Sequence, residues 1–266
     1  MSTFLKNNEL TKLGGLNNSN YLLKSNNKKY VLRIPGKDNK NNFYYENSIL
    51  NLVQPLNICP DIIYHSKDNG ILISKFIESS QISIDIYNSK SFLNTLTFTL
   101  KKLHNLEYNN NFNPFEVIEN NINFLINDKF DFNHNINQIL KKLKYLEKKL
   151  TKEITYGLCH NDLNISNILY SNEKVYFIDF EFSGMGDIFF DLATLSWFLN
   201  EDMKVKLLKN YFGHYSLEHK EKLEEYLFIV KLWNATWSFI KSINSNLDYD
   251  YKLGGNMILD DLMNSI

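Results

Sequence analysis

The sequence predicts an α+β protein of two lobes: an N-terminal antiparallel five-stranded sheet crossed by one helix, then a larger, mostly α-helical C-terminal lobe. Three observations carry this expectation. Short apolar runs alternate with tight turns as far as Ile73, and from about Ser79 the apolar period becomes helical. A strand-rich stretch then interrupts the helices between Thr155 and Ile178. The corresponding lobes are residues 1–78 and 79–266.

The elements follow in order. A polar turn at Gly14 to Asn20 precedes alternation in Tyr21 to Lys24, and Asn26-Asn27 turns the chain into Tyr30-Val31-Leu32-Arg33-Ile34. After Pro35-Gly36, Phe43, Glu46, Ile49, Leu50 and Val53 recur at helical spacing until Pro55 stops the run. Ile62-Ile63-Tyr64 and Ile71-Leu72-Ile73, divided by the turn Lys67-Asp68-Asn69-Gly70, complete five strands. In the second lobe Phe92, Leu96, Leu100 and Leu103 share one helical face, and Ile136, Ile139, Leu140, Leu143 and Leu146 share another. Thr155 to Cys159, Ile168-Leu169-Tyr170 and Val175 to Ile178 read as short strands, the last two joined at Ser171-Asn172-Glu173; Leu223 to Ile243 returns to long helix.

Composition narrows the function. A 266-residue chain with 44% hydrophobic residues buries a sizeable core, which excludes a small peptide-like scaffold. Basic and acidic residues balance, 29 against 30, so no global field draws in nucleic acid or an anionic membrane. Clusters such as Lys141-Lys142 and Lys148-Lys149 read as the wet face of a helix. Two cysteines, Cys59 and Cys159, form neither a disulfide framework nor a metal pair, which suits a reducing cytoplasm. The first residues lack the basic flank and apolar stretch of a signal peptide, and no run of about 18 apolar residues occurs. A cytoplasmic protein without membrane insertion or nucleic-acid partner is expected, as monomer or homodimer. The abundant Asn and Lys are read as compositional bias.

Two short segments carry chemistry. His160-Asn161-Asp162-Leu163-Asn164-Ile165-Ser166-Asn167 has the form His-x-Asp with Asn five positions on, and Ile178-Asp179-Phe180-Glu181 follows about a dozen residues later. Phosphoryl transfer asks a protein for an oxygen acceptor near the attacking hydroxyl and for oxygen ligands that hold Mg²⁺ on the phosphates. Asp162 suits the first task; Asn167 and Asp179 suit the second, with Glu181 able to steer a second ion. A short hairpin between the segments would bring them to one edge.

These segments resemble the catalytic and metal loops of the kinase-like family that includes choline and ethanolamine kinases and aminoglycoside phosphotransferases. The resemblance implies a protein-kinase-like fold, ATP and Mg²⁺ as cofactors, and His160, Asp162 and Asn167 as catalytic residues. Gly14-Gly15-Leu16-Asn17-Asn18-Ser19-Asn20 would fold over the triphosphate, glycine permitting close backbone approach. Arg33 stands where protein kinases carry a strand lysine, with Glu46 in the next helix as its ion-pair partner. The expected nucleotide site is therefore Gly15, Asn17, Asn18, Ser19, Asn20, Arg33 and Glu46, with Lys75, Phe76 and Ile77 after the last strand of the sheet.

Over nearly the whole chain the sequence is similar to bacterial choline kinases of the phosphorylcholine-decoration type. The matching segments are Tyr30 to Gly36, Lys102-Leu103-His104-Asn105, Cys159 to Leu163, Ile178 to Met185, Asp187, Asp191-Leu192-Ala193, Trp237 to Lys241 and Asp250-Tyr251. A choline acceptor follows, its quaternary ammonium held by aromatic faces. Trp237, Tyr251 and Phe182 are the candidate walls, with Trp197 and Trp233 beside them. Where the family commonly has a second Trp, three residues before Trp237, this chain has Asn234. Ethanolamine, thiamine and other amino alcohols therefore stay open as acceptors. An aminoglycoside phosphotransferase would want an acidic acceptor pocket, and the late segment offers only Asp248, Asp250, Asp260 and Asp261. A non-catalytic pseudokinase would have lost a ligand that Asp162, Asn167, Asp179 and Glu181 all retain.

Overall fold

The structure is a computed structural model that describes residues 9–14, 18–36, 43–244 and 249–264. It divides into two compact units, Met1–Tyr108 with His160–Gly184, and Asn109–Cys159 with Met185–Ile266. The lobe boundary expected at residue 78 falls inside the first unit.

In the first unit, β1 (Glu9–Lys12), β2 (Asn18–Ser25) and β3 (Lys28–Pro35) form an antiparallel meander. Pairing of Ser25 with Lys28 leaves the two-residue loop Asn26-Asn27, both at positive φ (49° and 58°). Right-handed strand twist demands that left-handed turn, and Asn tolerates it. Asn18, Ser19 and Asn20, expected to lie in a turn, already belong to β2. They pair with Pro35, Ile34 and Arg33, and the Asn20 amide further ties itself to the Gly14 carbonyl at 3.0 Å.

Helix α1 (Phe43–Val53) buries Glu46, Ile49, Leu50 and Val53, the spacing that marked it in the sequence, and a 3₁₀ turn containing Pro55 ends it. Strands β4 (Ile62–His65) and β5 (Leu72–Lys75) meet at a turn where Gly70 has φ 67°. The five strands lie in the order β1-β2-β3-β5-β4, so β5 sits between β3 and β4. Helices α2 (Ile84–Tyr87) and α3 (Lys90–His104) follow, each capped by a serine hydroxyl, Ser83 and Ser89.

The chain then enters the second unit through α4 (Pro114–Asn127), α5 (Ile136–Leu150) and β6 (Tyr156–Cys159). It returns to the first with the hairpin of β7 (Ile168–Ser171) and β8 (Lys174–Phe177), turning on Asn172 and Glu173 at φ 49° and 60°. That hairpin lies on α3: Tyr170 meets Phe92 edge to face at 5.1 Å, and Ser80 N–H donates to the Tyr170 carbonyl at 2.9 Å. Phe177 N–H donates to the Ile58 carbonyl at 2.7 Å, fixing the hairpin beneath the sheet-bearing segment.

The remainder of the second unit comprises β9 (Gly184–Asp187), paired with β6, and helices α6 (Phe189–Ser196), α7 (Glu201–Phe212), α8 (Leu217–Asn244) and α9 (Tyr251–Met263). Helix α8 is the axis on which α4, α6 and α9 pack. Three asparagines are helix caps: Asn113, Asn135 and Asn200 cap α4, α5 and α7 through their side-chain oxygens. Buried Asp187 receives Lys222 Nζ at 2.8 Å and Phe189 N–H at 3.1 Å, which fixes the turn from β9 into α6. Among the described residues no helix is long and apolar enough to cross a membrane.

The α8–α9 contact turns on one glycine. A Cβ on Gly255 would lie 2.5 Å from the buried Phe239 ring, a distance no real Cβ keeps. Gly255→Ala is therefore expected to destabilise the protein by about 1–3 kcal/mol, the usual cost of overpacking. Urea denaturation reads this, and unchanged stability would show that α9 is not seated on α8 as described.

Candidate active site

All the residues expected to handle phosphate and metal, where described, lie in the first unit. The His160–Asn167 segment leaves β6 through Asn161 at φ 65° and ends in a 3₁₀ turn, Ile165–Asn167, capped by Asn164. Asp162 is pinned from two sides. Asn164 Nδ2 donates to its Oδ1 at 2.9 Å, and Asn167 Nδ2 donates to its Oδ2 at 2.7 Å and to its carbonyl at 2.8 Å. The carboxylate is thereby held in one orientation while staying partly exposed.

His160 links the two loops from within the core. It is fully buried, its Nε2 lies 2.9 Å from the Ile178 carbonyl, and its Nδ1 accepts Asp162 N–H at 3.3 Å. The carbonyl requires a proton on Nε2 and the amide a lone pair on Nδ1, so the ring is a neutral brace between the two loops, lying on Phe180 at 4.8 Å. Asn161 provides a second brace: its Nδ2 donates to the Phe182 carbonyl at 2.9 Å. The metal-loop segment is also tied to the first at Ile178 N–H, which donates to the Asn167 carbonyl at 3.0 Å. The hairpin thus brings Asn167 and Asp179 to one edge, as the spacing implied.

Arg33 and Glu46 meet as the sequence order suggested. Arg33 Nη2 lies 2.5 Å from Glu46 Oε2, and Nη1 lies 3.0 Å from Asp179 Oδ1. The guanidinium is buried, and its Nε has no hydrogen-bond partner among the described residues. Burial opposes the charge on Arg33, but Glu46, Asp179 and Glu181 outweigh it and raise the guanidinium above its ordinary value. For Glu46 burial also favours the neutral form, yet contact with His65 and Arg33 prevails and holds the carboxyl below its usual range. Asp179 goes the other way. Burial and then the charge of Glu181 push it up to about 7 against the pull of Arg33.

Two carboxylates, Glu46 and Asp179, contact the one guanidinium, with Glu181 acting on it electrostatically, and the donors suit a hard divalent cation. Asn167 has committed its amide nitrogen to Asp162, which leaves Oδ1 for a ligand; with Asp179 and Glu181 this makes an all-oxygen set. Asp179 has φ 66°, a left-handed conformation uncommon outside glycine but tolerated by Asp.

Other expected residues fall as follows. Gly15 and Asn17 lie outside the described residues, as does Asp248. Asn18 and Ser19 open β2, and Asn20 pairs directly with Arg33 across the sheet. Lys75 ends β5 and pairs loosely with Asp61 at 3.7 Å, Phe76 N–H donates to the Lys29 carbonyl, and Ile77 follows half-buried. In the second unit Trp237 and Tyr251 come together edge to face at 5.8 Å, with Lys241 Nζ 5.4 Å from the Trp237 centroid. Trp233 instead packs on Phe112 and Phe190, and Trp197 stacks on Phe198. The late acids are committed elsewhere: Asp250 caps α9, Asp260 pairs with His134 and Asp261 with Lys231. Sequence reasoning missed Asn161, Asn164 and His65. The first two lie inside the recognised motif, whereas no local pattern marks His65.

The phosphotransferase enzyme family model matches residues 10–226. This chain belongs to that family. Protein LicA of Haemophilus influenzae is 27% identical to the phosphotransferase over 258 residues, covering 91% of this chain and 76% of that protein. Choline kinase LicA from Streptococcus pneumoniae shares its fold with a TM-score of 0.82 at 24% identity, covering 97% of this chain and 94% of that one. An ethanolamine kinase from Plasmodium vivax does so with a TM-score of 0.81 at 17% identity, over 97% and 82% of the two chains. The fold is kinase-like, and the phosphotransferase is an ATP-dependent small-molecule kinase.

Proposed function

We propose that this phosphotransferase moves the γ-phosphoryl group of ATP onto the hydroxyl of choline, giving phosphocholine and ADP. The observation that carries the acceptor is the Trp237–Tyr251 pair. A quaternary ammonium has no N–H to donate and is held by aromatic faces, and Lys241 already sets an ammonium over Trp237. The likeness to a choline kinase of the same fold supports this reading. Phe182, Trp197 and Trp233 remain candidates for further walls.

Asp162 accepts the hydroxyl proton as that oxygen bonds to the γ-phosphorus and the bond to the departing ADP oxygen breaks. Asn164 and Asn167 fix its carboxylate, and His160 braces the loop. In this reading Arg33 meets phosphate, Asn18, Ser19 and Asn20 at the start of β2 serve the triphosphate together with Gly15 and Asn17, and Lys75, Phe76 and Ile77 border the base. Asn167, Asp179 and Glu181 would hold Mg²⁺, which supplies neutralisation of the phosphate charge. Residues 1–78 then serve the nucleotide, and 79–266 catalysis and the acceptor.

Ethanolamine is the second reading. Asn234 stands where a Trp is expected, and with its Nδ2 bonded to the Val230 carbonyl its Oδ1 is left to accept from a primary ammonium. A coupled ADP-release assay with Mg-ATP against choline, ethanolamine, thiamine and an aminoglycoside decides. Release with choline upholds the proposal; release with ethanolamine alone transfers it to the second reading, and release only with the aminoglycoside overturns both. Trp237→Ala is expected to raise the KM for choline about 3- to 30-fold, the span of one cation–π contact, with the KM for ATP unchanged.

A further inference from the structure

His65 is buried at the end of β4, an edge strand that carries none of the expected site residues, and the reaction as described does not use it. Its side chain is 1% exposed, and its Nε2 stands 3.4 Å from Glu46 Oε2. Neither ring nitrogen has another hydrogen-bond partner among the described residues. An imidazole removed from water in this way costs free energy unless the group it faces repays it.

The sheet register explains how it arrives there. His65 pairs with Leu72, and Leu72 pairs with Arg33, so the three residues form one row across β4, β5 and β3. Directly opposed residues of antiparallel strands share a face, so His65 and Arg33 point to the same side, about 10 Å apart at two strand spacings. Glu46, on α1, receives both on the same carboxylate oxygen. Arg33 alone would leave the Glu46 carboxylate anchored from one side, free to follow the guanidinium. With His65 on the other side it is fixed between two strands, and so is the guanidinium that must meet phosphate.

We infer that His65 is a positioning residue for nucleotide binding, acting through Glu46 to hold the Arg33 fork in place. This rests on the assignment of Arg33 to phosphate, and not on the identity of the acceptor.

The test compares His65→Leu, which keeps the volume and removes the polar contact, with His65→Gln, which returns a donor near the position of Nε2. Binding of a fluorescent ATP analogue with Mg²⁺ is measured without any acceptor, so a mistaken acceptor leaves the result intact. His65→Leu is expected to weaken nucleotide binding about 10-fold, the scale of one hydrogen bond to a charged group, and His65→Gln to recover most of that loss. In a Glu46→Gln background His65→Leu should add little further loss. Unchanged binding by His65→Leu overturns the inference. So does an equal loss in both His65 variants, or a loss that persists in full in the Glu46→Gln background, since either would make His65 a packing residue. Should a folded Arg33→Gln variant bind nucleotide as the wild type does, the assignment of Arg33 to phosphate fails instead.

Discussion

Asp162→Ala is expected to bind Mg-ATP with near-wild-type affinity while kcat falls about 100- to 10,000-fold, the range removed with a general base. The expectation follows from how the carboxylate is held. Asn164 and Asn167 each occupy one oxygen, and the contacts to the rest of the loop run through His160 and Asn161, which the substitution leaves in place. Asp162→Asn separates two contributions, since it keeps the size and removes the proton acceptor. Equilibrium nucleotide binding and single-turnover transfer read the two quantities apart. Turnover within about 10-fold of the wild type would remove Asp162 from the chemistry.

Arg33→Ala is expected to lose on both stability and function. The guanidinium is the counter-charge for Glu46 and Asp179, and deleting one member of a buried ion pair typically costs about 3–5 kcal/mol because the partner stays buried and uncompensated. Urea denaturation checks the first part and nucleotide binding the second. The pH dependence has a definite sign. Glu46 is held below its ordinary value, so its contribution is present above the unfolded-state value, near 4.3 for Glu, and is lost as pH falls through the folded one. The stability gap between wild type and Arg33→Ala should therefore narrow below about pH 4. A gap that widens on acidification would contradict the ion pair as described.

The arrangement of the segments proposed for catalysis and metal binding was legible because their geometry is local. Asp162, Asn167 and Asp179 are separated by one hairpin, and its turn at Asn172 and Glu173 is written in the residues that form it. Helix α1 was legible for the same reason, Glu46 sharing a helical face with Ile49, Leu50 and Val53. His65 was not, because its role depends on β5 lying between β3 and β4, an order that no pattern along the chain specifies. The pairings of the aromatic residues expected at the acceptor were half legible. Trp237 and Tyr251 meet, whereas Trp233, one turn earlier on α8, is taken up by Phe112 and Phe190, rings far away in sequence. The Asn-rich composition concealed its own use: caps at Asn113, Asn135 and Asn200 and left-handed turns at Asn26, Asn27, Asn161 and Asn172 need an alignment with helix starts to be seen.

The first unit is discontinuous, Met1–Tyr108 being completed only by His160–Gly184. A ribosome adds about 5–20 residues per second, so several seconds separate the emergence of α3 from that of the hairpin that covers Phe92. Through that interval the nascent chain carries Arg33 and Glu46 without Asp179, and an apolar helix face without its lid. Truncation between α3 and β8 leaves the five-stranded sheet complete but the α3 face uncovered, which makes this stretch of synthesis the one at which a chaperone has most to protect.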